Sequence, residues 1–569
     1  PKQVPRHVFI YNQARLGAFS LPTWVNGQVK RFYPQGDSFY MAKQITDAVN
    51  LTNENEENNQ DIALTIKADL NREVYDLIKR WRVCLDGASN TEKCRKEGLA
   101  FPAVPLKSGS RRMAVTLMDS NTGELLALAS DYGTPQDPND SAAANNPASD
   151  RENLNLPRHV IGSAIKPFTA AASLYSFNDL YQMTLIDKRS NKQLLFGMPM
   201  GGKKGIAGHD GATTIEWSGF IAPSDNLYAL SLALLGMCNT ESGRRLPRFE
   251  QNGSIQLASS PLRLELTDSG TSLGKPEWSP SNMFNPSAVG GERHVNYLET
   301  TPLASKLDEL FDTRARKDVQ KGSYANSMWA DVVKDKNLLN KPGSFDKVSP
   351  EITNFAFADV TNFTELRSIL LGGGFNPDES LTPYGSIGGE WSNVFLAQSM
   401  ARIVTGRKIN ARILANGEPT PEASAGEWFP GAERAQWREA LLHELEGVVY
   451  STLPKGTAHN ALIKTISGIS GNTGHVTGSG QTRFTIFSKT GTLSPEGEEV
   501  SQDKKTLKDY SVFVFTIGIW NDATKSLERS VSGAISIEQG GQGQAQAFAA
   551  ALIKLLNRQP QFSWKKTER

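Results

Sequence analysis

Gly162-Ser-Ala-Ile-Lys-Pro-Phe-Thr-Ala-Ala-Ala172 is a short polar start followed by an apolar, alanine-rich run. The alanines favour a buried helix, and Pro167 suits its first turn, where a missing N–H breaks no helical hydrogen bond. Ser163 then lies at the start of the helix with Lys166 one turn along on the same face, so a hydroxyl and an amine can meet. A lysine that loses its proton through desolvation can accept the proton of the serine. The stretch therefore predicts a serine nucleophile that is activated without histidine.

The Ser-x-x-Lys spacing alone is a weak signal, because it occurs five times in the chain. The copies are Ser163/Lys166, Ser272/Lys275, Ser344/Lys347, Ser501/Lys504 and Ser563/Lys566. A single copy is more often a capping serine followed by a solvated lysine. Only the first copy stands in an apolar helix-forming segment with a strand upstream, and this context selects Ser163.

Composition bounds the class of protein. A chain of 569 residues is too long for one ordinary core, and its net charge of +1 gives no reason to expect a nucleic-acid partner. The seven histidines are scattered and no Cys/His set has zinc spacing, so neither a metal site nor a cofactor is predicted. There is no apolar run of transmembrane length and no signal peptide, and the chain opens on Pro1. A fragment or processed form of a longer protein is expected.

The three cysteines are Cys84, Cys94 and Cys238. Cys84 and Cys94 flank a polar loop that a disulfide would close in an oxidising compartment, and two unrelated thiols are an equally good interpretation of the sequence alone. Cys238 follows an apolar helix and is interpreted as a buried thiol.

Changes in composition divide the chain. Residues 1–60 are interpreted as an N-terminal linker or pedestal segment, because they end in a polar, acidic run at 51–60. Residues 61–560 form the main domain. Within it, residues 238–380 are polar and rich in Pro, Gly and Asn, and they are predicted to be an insertion or satellite subdomain.

Periodicity predicts the elements of the main domain. Strands are expected at residues 62–66, 113–118, 125–129, 483–488 and 510–520. Helices are expected at residues 69–81, 163–175, 213–220, 227–235, 303–311, 391–404, 437–449 and 545–557. Strands at both ends with helices between them indicate an α+β fold, an antiparallel β-sheet flanked by helices, with a large insertion.

Three short motifs stand in order along this domain: Ser163-x-x-Lys166, Ser224-Asp225-Asn226 and Lys489-Thr490-Gly491. The second and third each occur once. With this trio the chain resembles the transpeptidase domain of high-molecular-weight penicillin-binding proteins. Residues 162–168 are most similar to the class A, bifunctional branch. Residues 64–71, 114–130 and 447–458 extend the resemblance, which covers residues 61–558 in patches.

The resemblance implies a penicillin-binding protein/β-lactamase-like transpeptidase fold and roles for the first two motifs. Ser163 would attack the carbonyl of a D-Ala-D-Ala bond and form an acyl-enzyme, with Lys166 as the base. Ser224 would relay a proton to the leaving amine. Asn226 would hold Lys166 or the substrate amide.

The third motif would bind substrate. Lys489 would add positive charge that keeps Lys166 neutral and attracts the substrate carboxylate, to which Thr490 and Thr492 would offer hydroxyls. Gly491 would let the substrate strand approach closely. The backbone N–H groups of Ser163 and Thr492 would form the oxyanion hole.

Plainer interpretations exist for the same residues. Ser224 and Asn226 are also suited to capping the helix that follows. Lys489-Thr490-Gly491 alone is most often a strand end and turn. His159 is an alternative base, and it is interpreted as a loop histidine because Lys166 already fills that role.

The implied activity is a D,D-transpeptidase of peptidoglycan synthesis that β-lactams inhibit. The alternatives are a D,D-carboxypeptidase or serine β-lactamase, and a non-catalytic β-lactam sensor or structural protein. The chain lacks the Glu-x-x-Leu-Asn string typical of water activation in β-lactamases. The expected partners are stem peptides, β-lactams, the membrane through an anchor outside this chain, a possible glycosyltransferase domain and other cell-wall synthesis proteins. An extracytoplasmic location follows, and with it a Cys84–Cys94 disulfide.

Overall fold

A computed structural model gives the fold of the protein. It describes residues 9–11, 14–15, 19–25, 28–35, 62–86, 92, 94, 111–131, 153–155, 159–176, 178–195, 198–199, 205–236, 263–268, 270–271, 371, 374–375, 387–388, 390–412, 432–470, 482–493, 510–541 and 543–564.

Runs of strands and runs of helices follow one another along the described chain. The strands are β1 Phe9–Tyr11, β2 Ala14–Arg15, β3 Phe19–Val25, β4 Gln28–Gln35, β5 Ile62–Leu64, β6 Met113–Asp119, β7 Leu125–Asp131, β8 His159–Val160, β9 Thr184–Asp187, β10 Leu194–Leu195, β11 Met198–Pro199, β12 Thr214–Ile215, β13 Arg263–Thr267, β14 Gly270–Thr271, β15 Gly374–Phe375, β16 Ile387–Gly388, β17 Glu390–Trp391, β18 Thr482–Leu493, β19 Tyr510–Asn521 and β20 Ser526–Ile537. The α-helices are α1 Ala68–Leu85, α2 Lys166–Ser176, α3 Asn226–Gly236, α4 Asn393–Thr405, α5 Ala432–Tyr450, α6 His459–Ser470 and α7 Gln544–Leu556.

The central sheet has five antiparallel strands in the order β18-β19-β20-β6-β7. Its strands come from both ends of the main domain, and helices cover it, so the predicted α+β class with an antiparallel sheet flanked by helices is confirmed. β18 carries the third motif and ends the order, so one side of it is unpaired among the described strands.

Two helices show that both faces of the sheet are covered. The backbone N–H of Ala545 in α7 donates to Ser511 Oγ at 3.0 Å, and Asn393 Nδ2 in α4 donates to Ser536 Oγ at 2.9 Å. Ser511 pairs with Ile537, the neighbour of Ser536 on β20. Because successive residues of a strand point to opposite faces, α4 and α7 lie on opposite sides.

The register also decides which side Lys489 faces. Lys489 pairs with Val514, and Val514 pairs with Ala534. Ala534 and Ser536 are two residues apart on β20 and therefore share a face. Lys489 thus points to the side of the sheet that α4 covers.

The helix that follows Ser163 packs on this same side. Phe168 of α2 stacks on Trp391 with a centroid distance of 4.6 Å, and Trp391 meets Phe395 of α4 edge-on at 4.6 Å. All three side chains are fully buried. α2 also packs against α3, which brings the first two motifs together.

Most predicted elements are confirmed within a few residues, but one is wrong, and α6, β20 and several short strands were not predicted. The helix predicted at residues 213–220 is wrong, because the chain there forms β12 and a single 3₁₀ turn at Trp217–Gly219. β20 was not predicted, since its serines and Gly533 weaken the strand signal. Its burial is imposed by β19 and β6 on either side.

The N-terminal segment contains paired strands. β1 pairs in parallel with β5, so Phe9–Tyr11 contact the start of the main domain, and β3 pairs with β4 as an antiparallel hairpin. In the predicted insertion at 238–380, β13 joins β9 in a four-stranded sheet. The helix predicted at 303–311 and Cys238 lie outside the described residues, and the domain boundaries stay predictions.

Cys84 and Cys94 form a disulfide. Both residues are buried. Cys84 lies in the last turn of α1, and Trp81 of the same helix packs edge-on against Phe548 of α7 with a ring-centroid distance of 5.4 Å. Within the described ranges, every helix is too short or too polar to cross a bilayer.

We expect this pairing to leave one free thiol among the three cysteines of the chain. The measurement is thiol titration of denatured, unreduced protein made in an oxidising compartment. Titration after reduction is the control and should give three thiols. Three free thiols without reduction would contradict the pairing.

Candidate active site

The first motif lies on a 3₁₀ turn, Gly162–Ile165, that leads directly into α2. Gly162 has φ +54°, and a Cβ there would lie 2.9 Å from Thr492 O and 3.0 Å from Thr492 N. Glycine therefore serves both the left-handed conformation and the contact with β18. Ser163 is partly exposed, whereas the Lys166 side chain is completely buried.

The second motif lies at the start of α3, where Asp225 is the capping residue. Its Oδ1 accepts the backbone N–H of Tyr228 at 2.7 Å, and its Oδ2 accepts the N–H of His209. A helix start needs such an acceptor, and Asp225 supplies it. Ser224 and Asn226 are thus free for other contacts, and the interpretation of these two as caps is wrong. Ser224 also has φ +68°, a conformation that costs a non-glycine residue about 1–3 kcal/mol.

The third motif lies within β18 rather than after a strand end. Lys489 is completely buried, and Gly491 shares its face of the strand. A Cβ at Gly491 would lie 2.0 Å from the carbonyl oxygen of Ile161. From the sequence, Gly491 was expected to let the substrate strand approach closely. In the structure it lies against the segment that precedes Ser163.

Four predicted residues form one hydrogen-bonded cluster. Lys166 Nζ donates to Ser224 O at 2.6 Å, Ser224 Oγ at 3.0 Å and Asn226 Oδ1 at 2.7 Å. Lys489 Nζ donates to the same Ser224 Oγ at 2.9 Å and to Thr490 O at 3.0 Å. The structure therefore joins all three motifs through one hydroxyl.

The Ser163 hydroxyl is outside this cluster. Its side chain makes no hydrogen bond to the described residues. The three hydrogen bonds that Lys166 Nζ donates all go to residues of the second motif. Catalytic hydrogen bonds often shorten only when substrate binds, so this geometry is compatible with a ligand-free site.

Both lysines have lowered proton affinity. Burial lowers the pKa of Lys166 to about 7, and the carboxylate of Asp225 partly opposes this shift. Burial also lowers the pKa of Lys489 well below its ordinary value, and repulsion from Lys166 adds to the effect. Because the pKa of Lys166 is about 7, part of this amine is neutral at neutral pH and available as a base.

The hydroxyls next to Lys489 reveal a residue to which the sequence assigned no role. Thr490 Oγ1 donates to Thr457 Oγ1 at 2.8 Å, and the N–H of Thr457 donates to Ala222 O at 3.0 Å. Thr457 is exposed and links the turn before Ser224 to the third motif. Thr492 is partly exposed and beside Gly162. The only sequence signal for Thr457 was the resemblance of Gly-Thr-Ala at 456–458 to the family.

His159 is buried in β8 and is not a loop histidine. Its two ring nitrogens contact Val160 O at 3.1 Å and Asn393 Oδ1 at 2.9 Å. Neither nitrogen is directed to Ser163 by a hydrogen bond, so Lys166 remains the candidate base. Among the residues whose placement is known, no three His, Cys, Asp or Glu side chains cluster as metal ligands would.

Comparisons with known proteins give structural matches. No protein-family profile matches the sequence, and no curated protein is similar to it. The D,D-transpeptidase domain of a peptidoglycan glycosyltransferase from Eggerthella lenta is 16% identical with a TM-score of 0.46, over 97% of this chain and 98% of that one. Penicillin-binding protein 2 of Pseudomonas aeruginosa in complex with WCK 5153 is 13% identical with a TM-score of 0.42, over 90% and 82%.

A third match is the complex between penicillin-binding protein 2 and MreC from Helicobacter pylori, 12% identical with a TM-score of 0.43, over 88% of this chain and 64% of that one. Identities of 12–16% are too low to transfer an activity, so function has to be inferred from the motifs and the site geometry. The similarity of residues 162–168 to the class A branch stays a prediction.

Proposed function

We propose that the protein is a serine D,D-transpeptidase that cross-links peptidoglycan stem peptides through an acyl-enzyme on Ser163. The observation that carries this proposal is the buried amine of Lys166, three residues after Ser163 and bonded to both Ser224 and Asn226. A desolvated lysine with a pKa of about 7 is matched to proton transfer at neutral pH.

Acylation then proceeds by one exchange of bonds. Ser163 Oγ attacks the carbonyl carbon of the D-Ala-D-Ala peptide bond, and its proton passes to the neutral Lys166. The carbon–nitrogen bond breaks, and the leaving amine receives a proton from Lys166 through Ser224. The amine of a second stem peptide attacks the ester, forms the new peptide bond and returns the proton to Ser163.

The hydrogen bonds around Lys166 support the part of this transfer that runs through Ser224. A neutral amine has two N–H groups, which Ser224 O and Asn226 Oδ1 can accept, since both are acceptors only. Its lone pair is then left toward the Ser224 hydroxyl. Lys489 donates to the same hydroxyl oxygen, so a continuous path joins the two lysines.

The substrate carboxylate would determine which of the two lysines is protonated. An anion beside Lys489 raises the proton affinity of that amine and leaves Lys166 neutral. Thr490 and Thr492 would add hydroxyl donors to the same carboxylate. The N–H groups of Ser163 and Thr492 would bind the oxyanion, since Gly162 packs directly on the Thr492 backbone.

The alternative functions use the same acyl-enzyme but differ in what happens to it. Rapid turnover of a chromogenic cephalosporin would indicate a β-lactamase, and release of D-alanine without cross-linking would indicate a carboxypeptidase. A stable adduct without activity on stem peptides would indicate a sensor. We favour the transpeptidase because the trio is complete and the Glu-x-x-Leu-Asn string is absent.

The setting of this activity is part of the proposal. A peptidoglycan substrate requires an extracytoplasmic site, to which a membrane anchor outside this chain would hold the domain. Partners would be other cell-wall synthesis proteins and a possible glycosyltransferase domain. Nucleic acid is not a proposed partner, since the net charge of +1 supplies no polyanion-binding field.

Labelled penicillin should add one covalent adduct, and peptide mapping should place it on Ser163. The expected result follows from the position of this partly exposed serine, one turn before the buried Lys166. Intact mass spectrometry measures the adduct.

Ser163→Ala should abolish the adduct. Ser563→Ala is the matched control, because Ser563 has the same Ser-x-x-Lys spacing but lies after α7, and it should label like the parent. An adduct that persists in Ser163→Ala, or none in the parent, would refute the proposal.

A further inference from the structure

Three fully buried asparagines form a network beneath the first motif. Asn153, Asn155 and Asn393 are all 0% exposed. Asn155 is bonded to both others: its Nδ2 donates to Asn153 Oδ1 at 2.8 Å, and its Oδ1 accepts from Asn393 Nδ2 at 3.0 Å. Buried amides are costly unless their groups are paired, and Asn155 pairs all four of its hydrogen-bonding positions.

Backbone carbonyls of β7 orient this network. Asn155 Nδ2 also donates to Ala129 O at 3.0 Å, and a carbonyl oxygen can only accept. The amide of Asn155 is thereby oriented with its Oδ1 toward Asn393. Asn393 must present Nδ2 to that oxygen, and the same Nδ2 donates to Ser536 Oγ at 2.9 Å.

The orientation of the Asn393 amide determines which of its atoms faces His159. With Nδ2 of Asn393 engaged, its Oδ1 is the atom that meets His159 Nε2 at 2.9 Å. An amide oxygen accepts only, so this contact is a hydrogen bond when Nε2 of His159 carries a proton. The other nitrogen, Nδ1, lies 3.1 Å from Val160 O. Burial lowers the pKa of His159 more than these two hydrogen bonds raise it, which favours the neutral ring. Val160 O can also only accept, and the single proton is assigned to Nε2 because its contact is the shorter of the two.

His159 occupies a junction between the motifs. Its strand β8 pairs with β17 through Trp391, and its ring stacks on Tyr510 with a centroid distance of 5.4 Å. Tyr510 pairs with Leu493, the residue after Thr492. The ring is therefore held between Tyr510 of β19, the neighbour of the third-motif strand, and Asn393 of α4, four residues before Ser163.

We propose that His159 is a positioning residue for Ser163, with its tautomer set by the asparagine network that begins at the carbonyls of β7. The Nε2–H bond to Asn393 ties β8, and with it the turn that carries Ser163, to the sheet core. This inference rests on the proposed function for its effect on acylation, whereas the tautomer is independent of it.

The kinetic test compares two replacements of His159. His159→Phe keeps the stack on Tyr510 but loses the donor, and we expect penicillin acylation to fall about tenfold or more, in the acylation step rather than in binding. His159→Gln restores an amide N–H at the place of Nε2, and it should recover acylation to within about threefold of the parent.

Ser536→Ala is the matched control. It removes one acceptor of Asn393 and weakens the same network, yet it leaves the His159–Asn393 bond intact. It should lower stability but keep parental acylation. If His159→Phe loses stability like Ser536→Ala and still acylates like the parent, His159 is merely structural and the proposal is overturned.

The tautomer is tested on the parent by ¹⁵N NMR of histidine-labelled protein, with the His159→Gln spectrum assigning the signal. A proton on Nε2 supports the proposal, and a proton on Nδ1 alone overturns it even where His159→Phe does not fold. A parent that shows the Nε2 proton but never reacts with penicillin would refute the proposed function and leave the network assignment standing.

Discussion

Lys166→Arg is expected to lose about 10²–10⁴-fold in the second-order rate of acylation by penicillin while keeping the fold. Arginine stays charged in proteins, so it cannot accept the proton of Ser163. The lysine at this position is buried and its pKa is about 7, which makes a neutral amine accessible. Stopped-flow or quenched labelling measures the rate, and circular dichroism checks the fold.

Lys489→Arg is the matched control, because it replaces the other lysine that contacts Ser224 Oγ. It should keep part of the activity, since position 489 needs mainly positive charge. In the parent, acylation should rise as the pH passes through about 7, because the neutral fraction of Lys166 rises with pH. Near-normal acylation by Lys166→Arg would mean that another group is the base.

Gly491→Ala is expected to lower both stability and acylation. The added Cβ would lie 2.0 Å from Ile161 O and 3.1 Å from Ala164 N, so the turn around Ser163 must move away from β18. Overpacking of this kind costs about 1–3 kcal/mol in the free energy of unfolding. A displacement of about 1 Å between nucleophile and oxyanion donors can cost about 10²-fold in rate. Urea unfolding and the acylation rate are the measurements.

Gly468→Ala is its matched control. Gly468 lies in α6, and an added Cβ there meets no atom within 4 Å. Alanine favours a helix over glycine by about 1 kcal/mol, so this variant should be slightly more stable and acylate normally. Parental stability and acylation in Gly491→Ala would show that the 3₁₀ turn is not held against β18 as described.

Local sequence patterns were sufficient for most of the predicted elements and for most of the candidate site. The alanine-rich run predicted α2, and the apolar run at 510–520 predicted β19. Both predictions were possible because helix propensity and the hydrophobic pattern of a buried strand depend on residues close together in sequence. The three motifs predicted a cluster of Lys166, Ser224, Asn226 and Lys489, which the structure brings together.

Only the tertiary structure decided how these residues contact one another. Ser224 and Lys489 are 265 residues apart, and no local pattern encodes that both lysines share the Ser224 hydroxyl. Capping of α3 by Asp225 leaves Asn226 for Lys166, and the contact of Gly491 with Ile161 depends on packing between segments distant in sequence. The sequence alone determined which side chains have the required chemistry. Long-range packing determined their distances, and burial lowered the proton affinity of the two lysines.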